Sequence, residues 1–482
     1  MIRIDAINLH VTAIHTRLPF RYGIAEMTAA PHVVVEIIVS EGSTTARGFA
    51  SEHLPPKWFT KDPDSLFVDD VEDLVVAIES AAELASDSEA ASLFELWWSL
   101  QERHAQWATS HDVPGLVAGL GTSLIERALI DATCRLIATP FVRAIHTDTF
   151  GIELGRIHPE LEGHSLADFA PERCASTIAI RHTVGLSDPL TDDEVRDDPH
   201  DGLPVSLAAV LARYGAKYLK IKTAGNASND IPRLKHIDLV CREAGISPEW
   251  TIDGNESMTT AADLREWLEA LTADSEVDEL LREKLIAIEQ PIHRSHALDE
   301  SSRADLQHVS KRFLVIIDES DDALDTVRRA MDLGYAGGTY KGCKGVIRGL
   351  ANAALIKSRA APNSAAAVAT ILTAEDLSTV APLTINQDLV VAAAMGLTHI
   401  ERNGHHYWGA PAPLSPIVDE LLESAHPDSF ARVDDGPARL VITDGEVLLD
   451  SILDAPFGTA FELDVSTLEP LTIESARRIA RG

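Results

Sequence analysis

The sequence predicts an α/β fold, a (β/α)8 TIM-like barrel joined to an α+β unit built from the N-terminal part and the C-terminal tail. Three observations carry that prediction. From Cys174 onward, eight short apolar runs alternate with amphipathic helical segments, the pattern of successive βα units. Besides 398–401, which ends on Glu401, five of these runs close on a lysine or a carboxylate: Tyr-Leu-Lys220-Ile-Lys222, Trp-Thr-Ile-Asp253, Ile-Ala-Ile-Glu289, Val-Ile-Ile-Asp318 and Gly-Gly-Thr-Tyr-Lys341. Strand C-termini of a (β/α)8 barrel converge on one face, so such endings would meet in one pocket. Finally, 482 residues at 45% apolar content suffice for a large barrel and a second domain.

The elements follow in chain order. Residues 10–17 and 32–40 have the composition of two strands joined by a loop containing Pro and Gly, with further β material to Phe49. Helices are expected at 69–85, 90–105 and 115–136, completing an α+β unit over residues 1–145. The barrel takes 146–412, with strands at 177–184, 217–222, 250–253, 285–289, 313–318, 337–341, 366–372 and 398–401. Two polar, turn-rich stretches, 146–173 and 187–202, are expected as insertions over the barrel mouth or its rim. Residues 413–482 form a C-terminal segment, in which a hairpin around Asp444-Gly445 is expected to return to the first unit.

Composition narrows the function. A formal charge of −34 argues against nucleic acid and anionic membrane surfaces as partners. The chain has only eleven lysines, yet five of them (Lys217, Lys220, Lys222, Lys341 and Lys344) fall in two clusters, which predicts a local positive pocket for a small anionic substrate. The four cysteines are scattered without metal spacing, and the N-terminus lacks a signal-peptide pattern, so a cytoplasmic compartment is expected. The Ala-rich stretch 349–372 is interrupted by Lys357, Arg359, Pro362 and Asn363 and cannot be a membrane span.

The strand endings suit one chemistry. A hydrogen α to a carboxylate is weakly acidic, and its removal leaves a dianionic enediolate that a divalent cation stabilises. Asp253, Glu289 and Asp318, on successive strands, offer hard oxygen ligands for Mg2+, or Mn2+. Glu319 is the alternative to Asp318. Residues two apart in a strand share a face, so Lys220 can act on Lys222 as an electrostatic partner. Lys341 lies across the barrel from Lys222, and bases on opposite faces of a planar enediolate permit racemisation or epimerisation.

With these residues in order, the chain resembles the enolase superfamily, in its muconate-lactonizing and dipeptide-epimerase branch. The matching pieces are Lys220-x-Lys222, Asp253-Gly-Asn255, Ile288-Glu289-Gln290-Pro291, Asp318-Glu319-Ser320 and Tyr340-Lys341-x-x-Lys344. Leu18-Pro19-Phe20 and Gly48-Phe49-Ala50-Ser51-Glu52 resemble parts of that family's capping domain. The resemblance implies Asp253, Glu289 and Asp318 as metal ligands, Lys222 and Lys341 as acid/bases, Lys220 as their partner, and a homo-oligomer. It also implies that capping loops read the substrate, with Arg21, Tyr22 and Trp58 as candidate contacts, and that Glu401 on strand 8 faces it. Residues 366–375 contain no histidine, which disfavours the His-dependent branches. Two alternatives stay open: syn-dehydration or cycloisomerisation on the same site, and a non-catalytic barrel that binds metal or ligand.

Overall fold

In the computed structural model, which describes residues 1–22, 25–55, 57–360, 369–433 and 436–481, the chain forms a closed parallel barrel with an antiparallel sheet and helices beside it. Three strands, β1 (Ile2–Tyr22), β2 (Ala25–Glu41) and β3 (Thr44–His53), make that sheet, and β4 (Glu89–Ala90) adds to the start of β1. One face of β2 carries Val33, Val35, Ile37 and Val39, as the two-residue period of a strand requires. Helices α1 (Phe67–Ala85), α2 (Leu93–Ser110) and α3 (Gly115–Leu136) cover that face. Gly48 is where β3 meets α3: a Cβ there would lie 2.1 Å from the Ala132 nitrogen, so only glycine lets the two backbones approach.

The barrel strands are β5 (Thr177–Val184), β6 (Tyr218–Lys222), β7 (Glu249–Asp253), β8 (Leu285–Glu289), β9 (Val315–Ile317), β10 (Gly337–Lys341), β11 (Ile371–Glu375) and β12 (His399–Glu401). Each pairs in parallel with the next, and β12 closes on β5. Register decides which strand ends share a layer. Lys222 lies beside Asp253 and Asp253 beside Glu289, while Lys341 lies beside Glu375, Glu375 beside Glu401 and Glu401 beside Arg181.

Three expectations change. Strand 7 runs over Ile371–Glu375, later than the expected 366–372, of which 366–368 lie outside the described residues. The stretch 146–173 is no rim insertion: Phe150, Ile152, Leu154, Ile157, Leu161 and Leu166 join the main core, and His158 bonds Asn352 of helix Val346–Ala360 at 2.9 Å. Its charged residues are the exposed ones between those anchors. The Asp444-Gly445 turn sends Glu446–Leu448 onto β5 of the barrel, antiparallel. The tail reaches the first unit further on, through Glu469–Pro470 against β1 and helix Ile473–Ala480. The stretch 187–202 is largely irregular, and its Asp201 receives Arg17 of β1 in a two-oxygen ion pair (2.5 and 2.9 Å). No described helix is long and apolar enough to cross a membrane.

The unit and the barrel share one apolar core, continuous from α3 into helices Val346–Ala360 and Leu383–Ala394. Polar ties add to it: Ser51 meets Thr384 at 2.9 Å, and Gln387 donates to the Phe49 carbonyl at 2.8 Å. Residues 58–61 of the unit are held against the C-terminal face of the barrel, Lys61 donating to the Asn255 carbonyl at 2.7 Å and Arg294 to the Trp58 and Phe59 carbonyls at 3.1 Å.

Candidate active site

At that face a small cavity, about 60 Å3, opens among Lys220, Lys222, Lys341, Asp318, Glu319 and Glu401 of the barrel and Phe20, Trp58 and Lys61 of the α+β unit. Its deepest feature is the Lys220 ammonium, 2.7 Å from Glu289 Oε1, 2.8 Å from Glu375 Oε2, and 2.9 Å from both Glu401 Oε2 and Asp253 Oδ2. Burial works against its charge, but the four carboxylates outweigh it and hold Lys220 well above the ordinary lysine range. Lys222 sits nearer the opening and donates to Asp253 Oδ2 at 2.5 Å. Across the cavity Lys341 pairs with Asp318 and, at 2.9 Å, with Glu375. It too is held charged against burial, by Asp318 first and then Glu375.

The carboxylates divide by environment. Burial would raise Asp253, but Lys220 and Lys222 outweigh it and keep the group ionised, while its Oδ1 accepts the Asn255 amide at 2.7 Å. Glu375 is likewise held low, burial being offset by Lys220 and Lys341, and Arg181 adds a contact at 3.2 Å. Glu289 goes the other way: burial, reinforced by the charge of Glu375, pushes it well up, and its Oε2 is buried with no partner. Glu289, Asp318 and Glu375 each bring one oxygen within 4.8 Å of the other two. Three hard oxygen donors and an orphaned buried carboxylate oxygen fit a divalent cation. Asp253, the third ligand the sequence suggests, lies beside Glu289 in the barrel register and pairs with Lys220 and Lys222.

Asp318 is fixed from behind. Lys344 donates to its Oδ1 at 2.9 Å and to its carbonyl at 3.0 Å, and Gln290 Oε1 accepts its amide at 2.7 Å. Glu319 points elsewhere into the cavity, its Oε2 unpartnered and its carboxyl pushed up to about 7 by burial and then by Asp318. Glu401 lines the cavity, held by Thr183 and, at 2.7 Å, by Asn403.

Trp58 also reaches the site, its ring centroid 4.9 Å from Lys341 Nζ. Arg21 does not: it is exposed on the β1–β2 hairpin and pairs with Glu26 at 2.6 Å, its own strand neighbour. The Tyr22 side chain lies outside the described residues. Sequence reasoning missed Glu375 and Arg181. Glu375 gave the same signal as the other strand ends, an apolar run closing on a carboxylate, whereas Arg181 sits mid-strand with none. A rim cluster was missed as well: Glu256 holds Arg294 at 2.8 Å and Lys61 at 3.1 Å, joining the loop after β7 to the α+β unit.

The fold has solved counterparts. A mandelate racemase/muconate lactonizing protein from Herpetosiphon aurantiacus matches over 96% of this chain and 98% of its own, with a TM-score of 0.57 and 19% identity. The chain has the fold of the enolase superfamily. An L-Ala-D/L-Glu epimerase from Bacillus subtilis matches over 92% and 98%, with a TM-score of 0.56 and 16% identity. So does an enolase from Bradyrhizobium complexed with magnesium and mandelic acid, over 96% and 97%, with a TM-score of 0.56 and 13% identity. No protein-family model and no curated protein matches the chain. The enolase-superfamily fold thus comes with a carboxylate and lysine cluster at the barrel's C-terminal face, the end where (β/α)8 enzymes carry their sites.

Proposed function

We propose that this chain is an enolase-superfamily isomerase, a racemase or epimerase that moves the proton α to a carboxylate with the help of a divalent cation, Mg2+ or Mn2+. One observation supports this above the others. Lys222 and Lys341 line one cavity from β6 and β10, the second and sixth strands of an eight-strand ring, and so face each other across it. Glu289 and Asp318 would hold the cation, the third carboxylate coming from Glu375, which is within reach, or from Asp253, which the strand order supplies. When bound, the cation supplies positive charge opposite the substrate carboxylate as its second negative charge develops.

The protein's own groups do the rest. A neutral lysine takes the α-proton, the C–H electron pair stays on the substrate as an enediolate, and the facing ammonium returns a proton to the other side. Each turnover therefore exchanges the protonation of the two lysines. Lys222 has one carboxylate partner where Lys341 has two and Lys220 four. Lys220 stays charged and keeps the carboxylates from repelling one another. Trp58 and Lys61 cover the cavity and restrict water.

The test is incubation in D2O with Mg2+ and a panel of chiral α-hydrogen carboxylates, read by mass and by chirality. Deuterium at Cα with loss of optical purity supports the reading. Consumption of substrate instead points to elimination or lactonisation. A ligand that binds without exchange refutes the enzymatic reading.

A further inference from the structure

A second cavity, about 300 Å3, lies behind the wall of the first, between helix Leu207–Tyr214, the loops after β11 and β12, and strands Phe430–Arg432 and Ala438–Leu440. Its wall is mainly apolar, including Val380, Ile385, Trp408, Phe430, Leu440 and Val441. Trp408 separates the two cavities, its indole N–H donating to the carbonyl of Ser378, which lines the substrate side. Besides the Tyr214 phenol and the Trp408 indole, three polar side chains line the second cavity: His405, Arg213 and Arg439.

These three are not spent on the fold. Both ring nitrogens of His405 are shut off from solvent and bond no side chain, the Arg402 backbone being their one polar neighbour of hydrogen-bonding kind. Arg213 stands exposed with no hydrogen bond or ion pair among the described residues, and Arg439 uses only its Nε, on the Gly409 carbonyl at 3.0 Å. No carboxylate is among the cavity's described lining residues; Asp434 and Asp435, next in the chain after Val433, lie outside the described residues, and Asp201, the described carboxylate that acts on Arg439, is already paired by Arg17. An apolar chamber with two arginines and an imidazole that bonds no side chain, in so acidic a protein, has the makings of an anion site with an apolar floor.

We infer that this cavity binds a small organic monoanion with an apolar body, its anionic group between Arg213 and Arg439 and a polar atom on His405. The site is separate from the proposed reaction and stands whether or not that reaction is the one catalysed. The full chain is titrated with 8-anilinonaphthalene-1-sulfonate, an apolar-bodied monoanion, and with N-phenyl-1-naphthylamine, its uncharged counterpart, both followed by fluorescence. Octanoate is then added as a competitor. The expected result is one saturable sulfonate site displaced by octanoate, with Kd rising about fivefold or more at low salt in Arg213→Glu while the uncharged dye binds as before. Arg213 is exposed, so that variant folds; Ala431→Trp, which fills the chamber, should abolish both dyes. No saturable site in the wild type, or equal sulfonate affinity in wild type and Arg213→Glu, overturns the inference.

Discussion

Replacing Lys220 by methionine removes one ammonium from among four carboxylates while keeping the length of the stem. Its four oxygen contacts, at 2.7, 2.8, 2.9 and 2.9 Å, are all buried, so no water can take its place. Removing one partner of a buried ion pair costs about 3–5 kcal/mol, because the other charge is left behind. Here the stranded carboxylates take up protons, so the cost depends on pH. Their folded pKa values rise above the unfolded ones, the folded variant binds extra protons, and its stability falls as pH rises, by about 1.4 kcal/mol per unit for each proton. Over three pH units one proton accounts for about 4 kcal/mol, comparable with the whole deficit. Urea unfolding should therefore show the full loss near pH 8 and little of it near pH 5, and added Mg2+ should restore more stability to the variant than to the wild type. A deficit below about 1 kcal/mol, or one equal at both pH values, would refute this picture of Lys220 as the charge that holds the site together.

Other outcomes follow from the same geometry. Calorimetry with Mn2+ should find affinity lowered about 10- to 100-fold by Glu289→Gln and by Asp318→Asn, and whichever of Asp253→Asn and Glu375→Gln does the same supplies the third ligand. Trp58→Ala removes the ring over Lys341, a contact worth about 1–2 kcal/mol, so kcat/KM for an accepted substrate should fall about 5- to 30-fold, with Trp58→Phe recovering part of it. Asp388 is pushed up to about 8 by burial, with Arg402 opposing, so the folded chain holds a proton there that the unfolded chain loses near pH 4. Wild-type stability drops as pH rises through that window, and Asp388→Asn should gain on it by up to about 1.4 kcal/mol per pH unit in urea titrations, since the amide keeps the Thr379 contact (3.2 Å).

Much of this site could be read from the residues. Strands β6, β7, β8 and β10 are compact β-branched or aromatic runs with a chemical residue at the end, and period-two alternation put Lys220 and Lys222 on one face, where both reach Asp253. What escaped depends on register and long-range packing. Glu375 stayed hidden because the alanine-rich sequence before it draws the strand too early, and its partnership with Lys220, Lys341 and Arg181 exists only once β11 pairs with β10 and the barrel closes. That Asp253 pairs with both Lys220 and Lys222 is a choice among neighbours that sequence order does not encode. Arg21 looked like a substrate contact by its place before the β1–β2 loop, yet strand pairing delivers it to Glu26. The 146–173 stretch looked like a surface insertion because it is polar and turn-rich, while the apolar residues that anchor it, Phe150 to Leu166, are scattered among the charged ones.

The central claim is that two lysines serve opposite faces of one α-carbon. It is tested most directly by isotope exchange with each enantiomer of an accepted carboxylate, in D2O, for Lys222→Ala and Lys341→Ala separately. The account predicts that each variant loses racemisation but still exchanges the α-proton of one enantiomer, and that the two variants retain opposite enantiomers. Exchange of both enantiomers by either variant would contradict it.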